Sequence, residues 1–521
     1  MSKTIKWVIY IGLSIALLFI GATIYINLTI KKKVENFIAS RLPSHISQSY
    51  ESLNINVLEG TITIKQAAVA IKNQDNDEVH TFVKVEQLII EDVSYFDYIF
   101  KDEIHLEDIK LQNPQITYFK NRLSKSRDTI KKASIKIYKP IIIDELSIDH
   151  TTLHIFDDDK ETVALYAQNT TIEIDDIEIT AETIRDKIPF RYSNFEASGD
   201  SIFVKANNYD NLSTRSFKIK DKKASIEAIE FATKYKIESY DKMLKKERDH
   251  YQVSLQRLTL DGFDFEFTNG RLYATAEHIT AHDPIANIYR NKLIADDLST
   301  KKLYSAALRE LPFQLAIDAV KLVNGSLTYA EKVKTDEPPG QIKFTSLNAS
   351  IGHVDNRNNN KKKTQILIDA NFMDVAPLKV DWSFDIHNSN DPFLFKMDLG
   401  KLEAPRLNSF TEPNLNVRLT GTTEKTYATI DGSSNSSHVT MRMRYEDFEV
   451  NILNKNGKKK NKLISAIANI FISKNSDGGG NTFREGSGTV TPDKTKSFFN
   501  YLWLNLQKGL LATLVGDGKA R

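Results

Sequence analysis

One stretch of sequence decides the fold: LAIDAVKLVNGSLTY, from Leu315 to Tyr329. Its apolar side chains form three pairs, Leu315 with Ile317, Val320 with Leu322, and Leu327 with Tyr329. Within each pair the period is two, which is typical of a strand with one buried face. Between pairs the phase slips by one residue, so the chain must bulge or turn there to keep the same face inward. The residues Val-Asn-Gly-Ser before the last pair predict a hairpin connection.

The same spacing recurs through the first two thirds of the chain. Full copies begin at Ile104, Ile141 and Val253, and Asn113-Pro114 supplies the turn in the first of them. Fainter copies begin at Val83, Ile172 and Ile342. An ordinary sandwich would also alternate, but it would not keep fixed offsets. The pattern therefore predicts a mainly β fold with an extended, repetitive antiparallel sheet, and the irregular intervals between copies argue against a strict solenoid.

Composition excludes several classes of function. The chain of 521 residues carries 70 basic and 68 acidic residues, a net charge of +2, which argues against a general polyanion binder and predicts no nucleic-acid partner. It has no cysteine, which excludes disulfides, thiolate metal sites and cysteine catalysis.

The amino-terminal region predicts a membrane anchor. Trp7 to Leu28 is a run of 22 residues without a charge, which is long enough to span a bilayer as one helix. Residues 1–30 are therefore predicted to be a transmembrane anchor and residues 31–50 a membrane-proximal helix and hinge. A cleaved signal peptide is the alternative. Lysines flank the run on both sides, so charge bias alone does not settle the orientation.

Residues 51–454 are predicted to form the repetitive β-sheet domain. A helical insert is expected near residues 283–311, because Asp283-Pro284 is a typical helix start and Pro312 ends the pattern. In this domain Lys234 to Asp249 is so polar that it predicts a peripheral helix or loop.

Residues 455–521 are predicted to form a carboxy-terminal amphipathic helical region. One helix covers the apolar positions between Leu463 and Phe471, and a Gly-rich loop from Asp477 to Gly488 follows. Thr491-Pro492 then opens a second helix. Its predicted apolar stripe is Phe499, Leu502, Trp503, Leu506, Leu510 and Leu514. These helices either plug the end of the sheet or lie on a membrane surface.

Residues that could carry chemistry are sparse. His278 with His282 and His150 with His154 lie four apart, but both pairs occur in strand-like segments, where that spacing does not bring two imidazoles together. The chain lacks a Gly-x-Ser-x-Gly elbow, a Walker loop and a His-Glu-x-x-His pair. We therefore predict no catalytic residue, no metal site, no cofactor and no enzymatic activity.

Three features together resemble the AsmA-like family of Gram-negative envelope proteins, in particular its short, single-anchor members. These features are the amino-terminal anchor, the strand spacing of IHLEDIKLQNPQITYFK and LAIDAVKLVNGSLTYAE, and the carboxy-terminal PDKTKSFFNYLWLNLQKGLLATL. The resemblance implies a single-pass inner-membrane protein with most of its chain in the periplasm. It also implies a curved, taco-like β-sheet whose apolar inner face carries phospholipid towards the outer membrane.

Carried onto this sequence, the resemblance implies a groove lined by inward members of the repeats. The candidate groove residues are Ile109, Leu111, Leu146, Ile148, Leu258, Leu260, Val320 and Leu322. The implied partners are phospholipid, the inner membrane and proteins of the envelope or outer membrane. The alternative is an envelope assembly or scaffolding factor whose sheet is filled by its own side chains. A third class, an envelope hydrolase, would need polar groups that converge in a pocket.

Overall fold

The computed structural model describes residues 44–453, 475–476 and 482–515, with gaps at 74, 95, 124–136, 159–160, 269 and 358–361, together with Leu28, Lys31, Lys32 and Glu35. Apart from Leu28, the predicted span from Trp7 to Leu28 lies outside these residues, as does the predicted helix between Leu463 and Phe471. Within the described residues no helix combines the length and the apolar character needed to cross a membrane.

Contacts between residues divide the chain into two compact units. The first comprises Met1–Lys205 and Ser213–Asp221, and the second comprises Ala206–Leu212 and Lys222–Arg521. The first twelve strands are β1 (Ile46–Ser49), β2 (Ser52–Asn56), β3 (Thr61–Lys72), β4 (Val79–Val93), β5 (Ile104–Gln112), β6 (Gln115–Phe119), β7 (Ile141–Phe156), β8 (Val163–Ile179), β9 (Asn194–Gly199), β10 (Ile202–Lys205), β11 (Asp210–Thr214) and β12 (Ser216–Lys220). All of them belong to the first unit except part of β11, which crosses the boundary.

Within the described residues, the second unit contains the remaining strands and four α-helices. Its strands are β13 (Lys223–Thr233), β14 (His250–Asp261), β15 (Asp264–Thr268), β16 (Arg271–His282), β17 (Ile285–Asn291), β18 (Gln314–Lys332), β19 (Gly340–Asp355), β20 (Thr364–Phe372), β21 (Ala376–Phe384), β22 (Phe393–Leu399), β23 (Leu402–Glu403), β24 (Val417–Gly432), β25 (Ser437–Ile452) and β26 (Arg484–Val490). Its helices are α1 (Ile237–Met243), α2 (Tyr304–Arg309), α3 (Asn408–Leu415) and α4 (Phe498–Val515). Short helical turns occur at Asp97–Lys101, Thr183–Arg185 and Ala404–Leu407.

The prediction of a mainly β protein is confirmed, but the strands are not all antiparallel. In the first unit β5 and β6 run parallel to β7, and in the second β16 and β17 run parallel to β18. A parallel pair needs a long crossover connection. The segments between Phe119 and Ile141 and between Asn291 and Gln314 provide it. A repeat of apolar spacing carries no record of strand direction, which is why the sequence missed these crossovers.

The second phase slip of each full copy coincides with a left-handed backbone residue. Asn113, His150, Gly262 and Asn324 stand at the same place in their copies, with φ of 50°, 55°, 63° and 57°. Such a residue rotates the strand, so the apolar side chains on both sides of it stay on one face. The bulge is therefore confirmed and the predicted hairpin is wrong, because β18 continues through Asn324 and pairs with β19 on both sides of it.

The first phase slip is matched by a left-handed residue on the neighbouring antiparallel strand. Asp92, Asp176, Ala228 and His353 have φ between 48° and 58°. By register they lie opposite Glu107, Asp144, Gln256 and Asp318, the slip positions of the four full copies. Each long strand is therefore bent twice, and the offsets that repeat in the sequence record both bends.

The helical insert predicted near residues 283–311 is mostly wrong. Ile285–Asn291 is strand β17, and only Tyr304–Arg309 is α-helical. Asp283 has a φ of 51° and forms the bulge between β16 and β17, where the sequence predicted a helix cap. Strand pairing with β14 and β18 outweighs the local helix signal here.

The carboxy-terminal region contains the predicted second helix, although α4 begins at Phe498 and not at Thr491-Pro492. The predicted Gly-rich loop is partly strand β26, which pairs with β25. Gly486 has a packing reason, since a Cβ there would lie 2.2 Å from the backbone nitrogen of Thr513 in α4. A loop composition therefore concealed a strand that a helix approaches closely.

Candidate functional site

All eight predicted groove residues lie in four rows of side chains that cross the strands in register. Two residues apart on one strand, the members of a pair such as Val320 and Leu322 face the same side of the sheet. In the second unit, row A is Ala224, Leu260, Ile279, Val320, Ile351, Ile366, Trp382, Phe395, Ile430 and Val439. Row B is Ile226, Leu258, Ala281, Leu322, Ala349, Ile368, Val380, Met397, Ala428 and Met441. Both rows are apolar across every strand from β13 to β25 that they cross.

The first unit repeats this arrangement over fewer strands. Row C is Ile55, Ile62, Ile90, Ile109, Leu146, Ile174 and Phe195, and row D is Leu53, Ile64, Leu88, Leu111, Ile148, Ile172, Ala197 and Ile219. Most of these side chains are half-buried. A small cluster around Ile143, Ile174 and Ile177 is dry, and Ile109 and Leu146 pack against it.

Rows A and B change from open to covered along the second unit. On β14, β16, β18 and β19, which we call the open part, every member of both rows is only half-buried. On β20, β21, β22, β24 and β25, the covered part, every member of row A is buried, and Ile430 and Val439 are 0% exposed. The apolar pattern is the same in both parts, so the difference arises from what lies over it.

Helices α2 and α4 lie over the covered part. Phe498 of α4 stacks on Trp382 of row A with ring centroids 4.7 Å apart, and Tyr304 of α2 meets the same indole edge-on at 5.4 Å. Further along α4, the buried Asn505 accepts a 2.8 Å hydrogen bond from Ser437 of β25. The predicted stripe is partly wrong, because Phe499 is 61% and Trp503 37% exposed, while Phe498 and Tyr501 are buried. The buried face of α4 is therefore displaced by about one residue, towards the amino terminus, from the predicted apolar stripe.

A buried carboxylate fixes the segment that enters α4. Glu247 is buried and pairs with Lys292 at 2.7 Å and with Lys496 at 2.9 Å, while Lys496 also pairs with Asp296 at 2.8 Å. Burial by itself raises the pKa of Glu247, but the hydrogen bonds from Lys292 and Lys496 outweigh it and hold that pKa below its usual value. An ionised Glu247 therefore fastens the chain two residues before the helix that closes the covered part.

One cavity follows row B across β18 to β22 and β24. It has a volume of about 670 Å³, and its lining includes members of row B such as Leu322 and Val380 together with their neighbours along each strand, among them Lys321, Val323, Leu367, Lys396 and Tyr427. These neighbours face away from rows A and B because side chains alternate along a strand. Lysines and aspartates stand together along it, as in the Lys379–Asp369 pair at 3.9 Å. These neighbours therefore border a trough on the polar face.

The two histidine pairs lie on different strands, one on β16 and the other on β7. His278 and His282 stand four residues apart on strand β16, a spacing of about 13 Å along a strand. His150 bonds to Asn169 through Nδ1 at 2.6 Å, and His154 stacks on Phe156 with centroids 5.8 Å apart. In the described part of the chain no three His, Asp or Glu side chains group as metal ligands would.

Within each unit the groove candidates lie on one face, as the alternation requires, but the sequence did not indicate that helices cover part of that face in the second unit. The signal was present in part, since within rows A and B the strands β21 and β22 carry the aromatic residues Trp382 and Phe395, whereas β14, β16 and β18 carry only aliphatic ones. No family model matches the chain, and no curated protein matches it.

Proposed function

We propose that this chain is a membrane-anchored lipid-binding protein of the bacterial envelope, with an open apolar β-groove that takes part in phospholipid transport or envelope homeostasis. One observation carries the proposal. Rows A and B stay apolar across ten strands, yet on β14, β16, β18 and β19 they are only half-buried. Burying a solvent-exposed apolar face of a sheet against an apolar ligand lowers the free energy, because apolar surface leaves water.

The size of the open part suits an acyl chain. Four adjacent strands separated by about 4.8 Å give a width of about 14 Å. That width is close to half of the roughly 30 Å hydrocarbon core of a bilayer, the depth that one leaflet's acyl chains fill. Each methylene group that leaves water on such a surface contributes about 0.8 kcal/mol. Leu258, Leu260, Val320 and Leu322 are the residues we assign to this contact in the second unit.

The proposed cellular setting rests on features of the sequence. The uncharged run from Trp7 to Leu28 would hold the chain in the inner membrane, and the AsmA-like resemblance would place the β-rich units in the periplasm. In this account the partners are phospholipid, the inner membrane and envelope proteins, and the chain performs no catalytic step. The sequence contains no Walker loop, so any active transport would draw its energy from a partner.

The second candidate function is a non-enzymatic scaffolding factor for envelope assembly. The covered part favours it, because the protein's own helices cover Trp382, Phe395 and Ile430. If a partner protein covers the open part in the same way, the half-buried rows are an interface between proteins.

The proposal can be tested with two matched substitutions on β18. Val320→Asp places a carboxylate among rows A and B, and Val323→Asp places the same group on the opposite, polar face, where Val323 is 39% exposed. The full chain and both variants are extracted in one detergent, and bound phospholipid is quantified by mass spectrometry. We expect Val320→Asp to lose phospholipid that the natural chain and Val323→Asp retain.

Annular lipid around the anchor is common to all three proteins, so only the difference counts. Loss in Val323→Asp alone would move the ligand to the polar trough. Equal lipid in all three, with both variants folded by circular dichroism, would contradict lipid binding on rows A and B and favour the scaffolding function.

A further inference from the structure

Six large apolar side chains are displayed to solvent at one end of the first unit. They are Leu58, Phe96, Tyr98, Ile99, Phe100 and Tyr138, all between 51% and 87% exposed. We call them the apolar tip. They lie on three adjoining segments, since the Val93 N–H donates to the carbonyl oxygen of Gly60 at 3.2 Å and Lys139 Nζ donates to that of Tyr98 at 2.9 Å. A surface of this kind marks an interaction site in a soluble unit.

The tip is held in a defined conformation by a buried carboxylate, Asp97, and its polar partners. Asp97 opens the helical turn Asp97–Lys101 and is 5% exposed. It pairs with Lys101 at 2.8 Å and with His105 Nδ1 at 2.7 Å, and these partners lower the pKa of Asp97 to about 2. The other ring nitrogen of His105 lies 2.9 Å from Asp144. With Asp97 turned inward, Phe96 and Phe100 are turned outward, their ring centroids 4.8 Å apart.

The chemistry of the tip fits a lipid surface. Its outermost groups are aromatic and aliphatic, and behind them Lys139 lies 3.7 Å over the ring of Tyr98. Aromatic rings with an amine at their level are typical of the bilayer interface, where the ring is buried and the charge stays among the headgroups. Lys139 also pairs with Asp102 at 3.0 Å, and Lys101 pairs with Asp97 and with Glu103, so carboxylates balance both lysines and the tip needs no anionic lipid. A convex group of this kind suits a deformable partner, because a protein would need a matching cavity.

We propose that the apolar tip inserts into the headgroup region of a phospholipid bilayer and fixes how the first unit stands on a membrane. The inference does not depend on rows A to D, and the tip would hold the unit at a membrane whatever the rows bind. Neutral phosphatidylcholine is sufficient as the binding surface.

The absence of cysteine makes a site-specific test direct. Ile99→Cys gives a unique attachment point at the tip, and Lys84→Cys gives a matched one on β4, where Lys84 is exposed. Each full-length variant carries an environment-sensitive fluorophore and is reconstituted into phosphatidylcholine vesicles with or without spin-labelled lipid. We expect a blue-shifted signal at position 99 that the spin labels quench, and neither effect at position 84.

A second variant separates insertion from proximity. Phe96→Ser combined with Phe100→Ser removes two exposed rings and should leave the circular dichroism spectrum unchanged, while quenching at position 99 falls to the level of position 84. Water-like emission at position 99 in vesicles would overturn the proposal. So would a blue shift that is already present in detergent and insensitive to the spin labels, since that means that protein covers the tip.

Discussion

The open and covered parts of the second unit share the same two apolar rows and differ in whether helices lie over them. Both use rows A and B, with the same register and the same alternation, and Ile279 and Ile430 are members of the same row. Ile430 is 0% exposed because α4 and its neighbours fill the space above it, whereas Ile279 is only half-buried. The comparison shows that apolar alternation specifies a face but does not specify whether the face becomes a core. In this unit α2 and α4 determine which part of the face is buried.

The largest expected effect compares the same substitution in the two parts. Ile430→Ala removes buried methyl groups and should lower the free energy of unfolding by about 2–5 kcal/mol. Ile279→Ala removes the same atoms from a half-buried site and should cost about 1 kcal/mol or less. Urea titration of both variants measures the difference. Equal losses of stability would mean that Ile279 is as well buried as Ile430, which would contradict the distinction between the open and covered parts.

The next effect tests whether α4 is a fixed cover. Gly486→Ala places a methyl group against the backbone of α4, 2.2 Å from the Thr513 nitrogen, and should lower the free energy of unfolding by about 1–3 kcal/mol. Gly352→Ala on β19 is the control, because nothing lies within 4 Å of its added carbon. That change should stay within about 0.5 kcal/mol. If Gly486→Ala proved neutral by the same titration, α4 would be a loosely held cover.

The smallest expected effect concerns pH. The folded-state pKa of Glu247 is lowered, so its contribution is complete above the usual carboxyl pKa and is lost as the pH falls towards the lowered value. Acid should therefore loosen α4, which tryptophan fluorescence of Trp382 and Trp503 reports. Glu247→Gln should remove this step and weaken the fold at neutral pH, whereas Glu337→Gln at an exposed site should change neither. A step that persists in Glu247→Gln would assign it to other groups.

Much of the fold could be predicted from the strand spacing. The phase slips required bulges, and left-handed residues such as Asn324 and His150 stand where the slips require them. Strand direction was beyond reach, since the offsets of β16 and β18 look alike whether the strands run parallel or antiparallel. Asp283 was misassigned as a helix cap because an aspartate followed by proline is equally compatible with a β-bulge.

The strand spacing predicted the candidate site as an apolar face, and only the family resemblance assigned phospholipid to it. Leu258, Leu260, Val320 and Leu322 lie together on rows A and B because alternation is a local property of the chain. The cover over Trp382 could not be predicted, since the contact with Phe498 joins residues more than a hundred positions apart. The role of the face in lipid binding stays a proposal.

The most direct measurement compares two adjacent positions on β18 in the full chain in cells. A photoreactive phenylalanine analogue replaces Leu322, on the apolar face, or Lys321, on the polar face, and the irradiated protein is weighed intact. The account predicts an adduct with the mass of a phospholipid at position 322 and none at position 321. Phospholipid adducts at both positions or at neither, or a crosslinked protein at position 322, would contradict it.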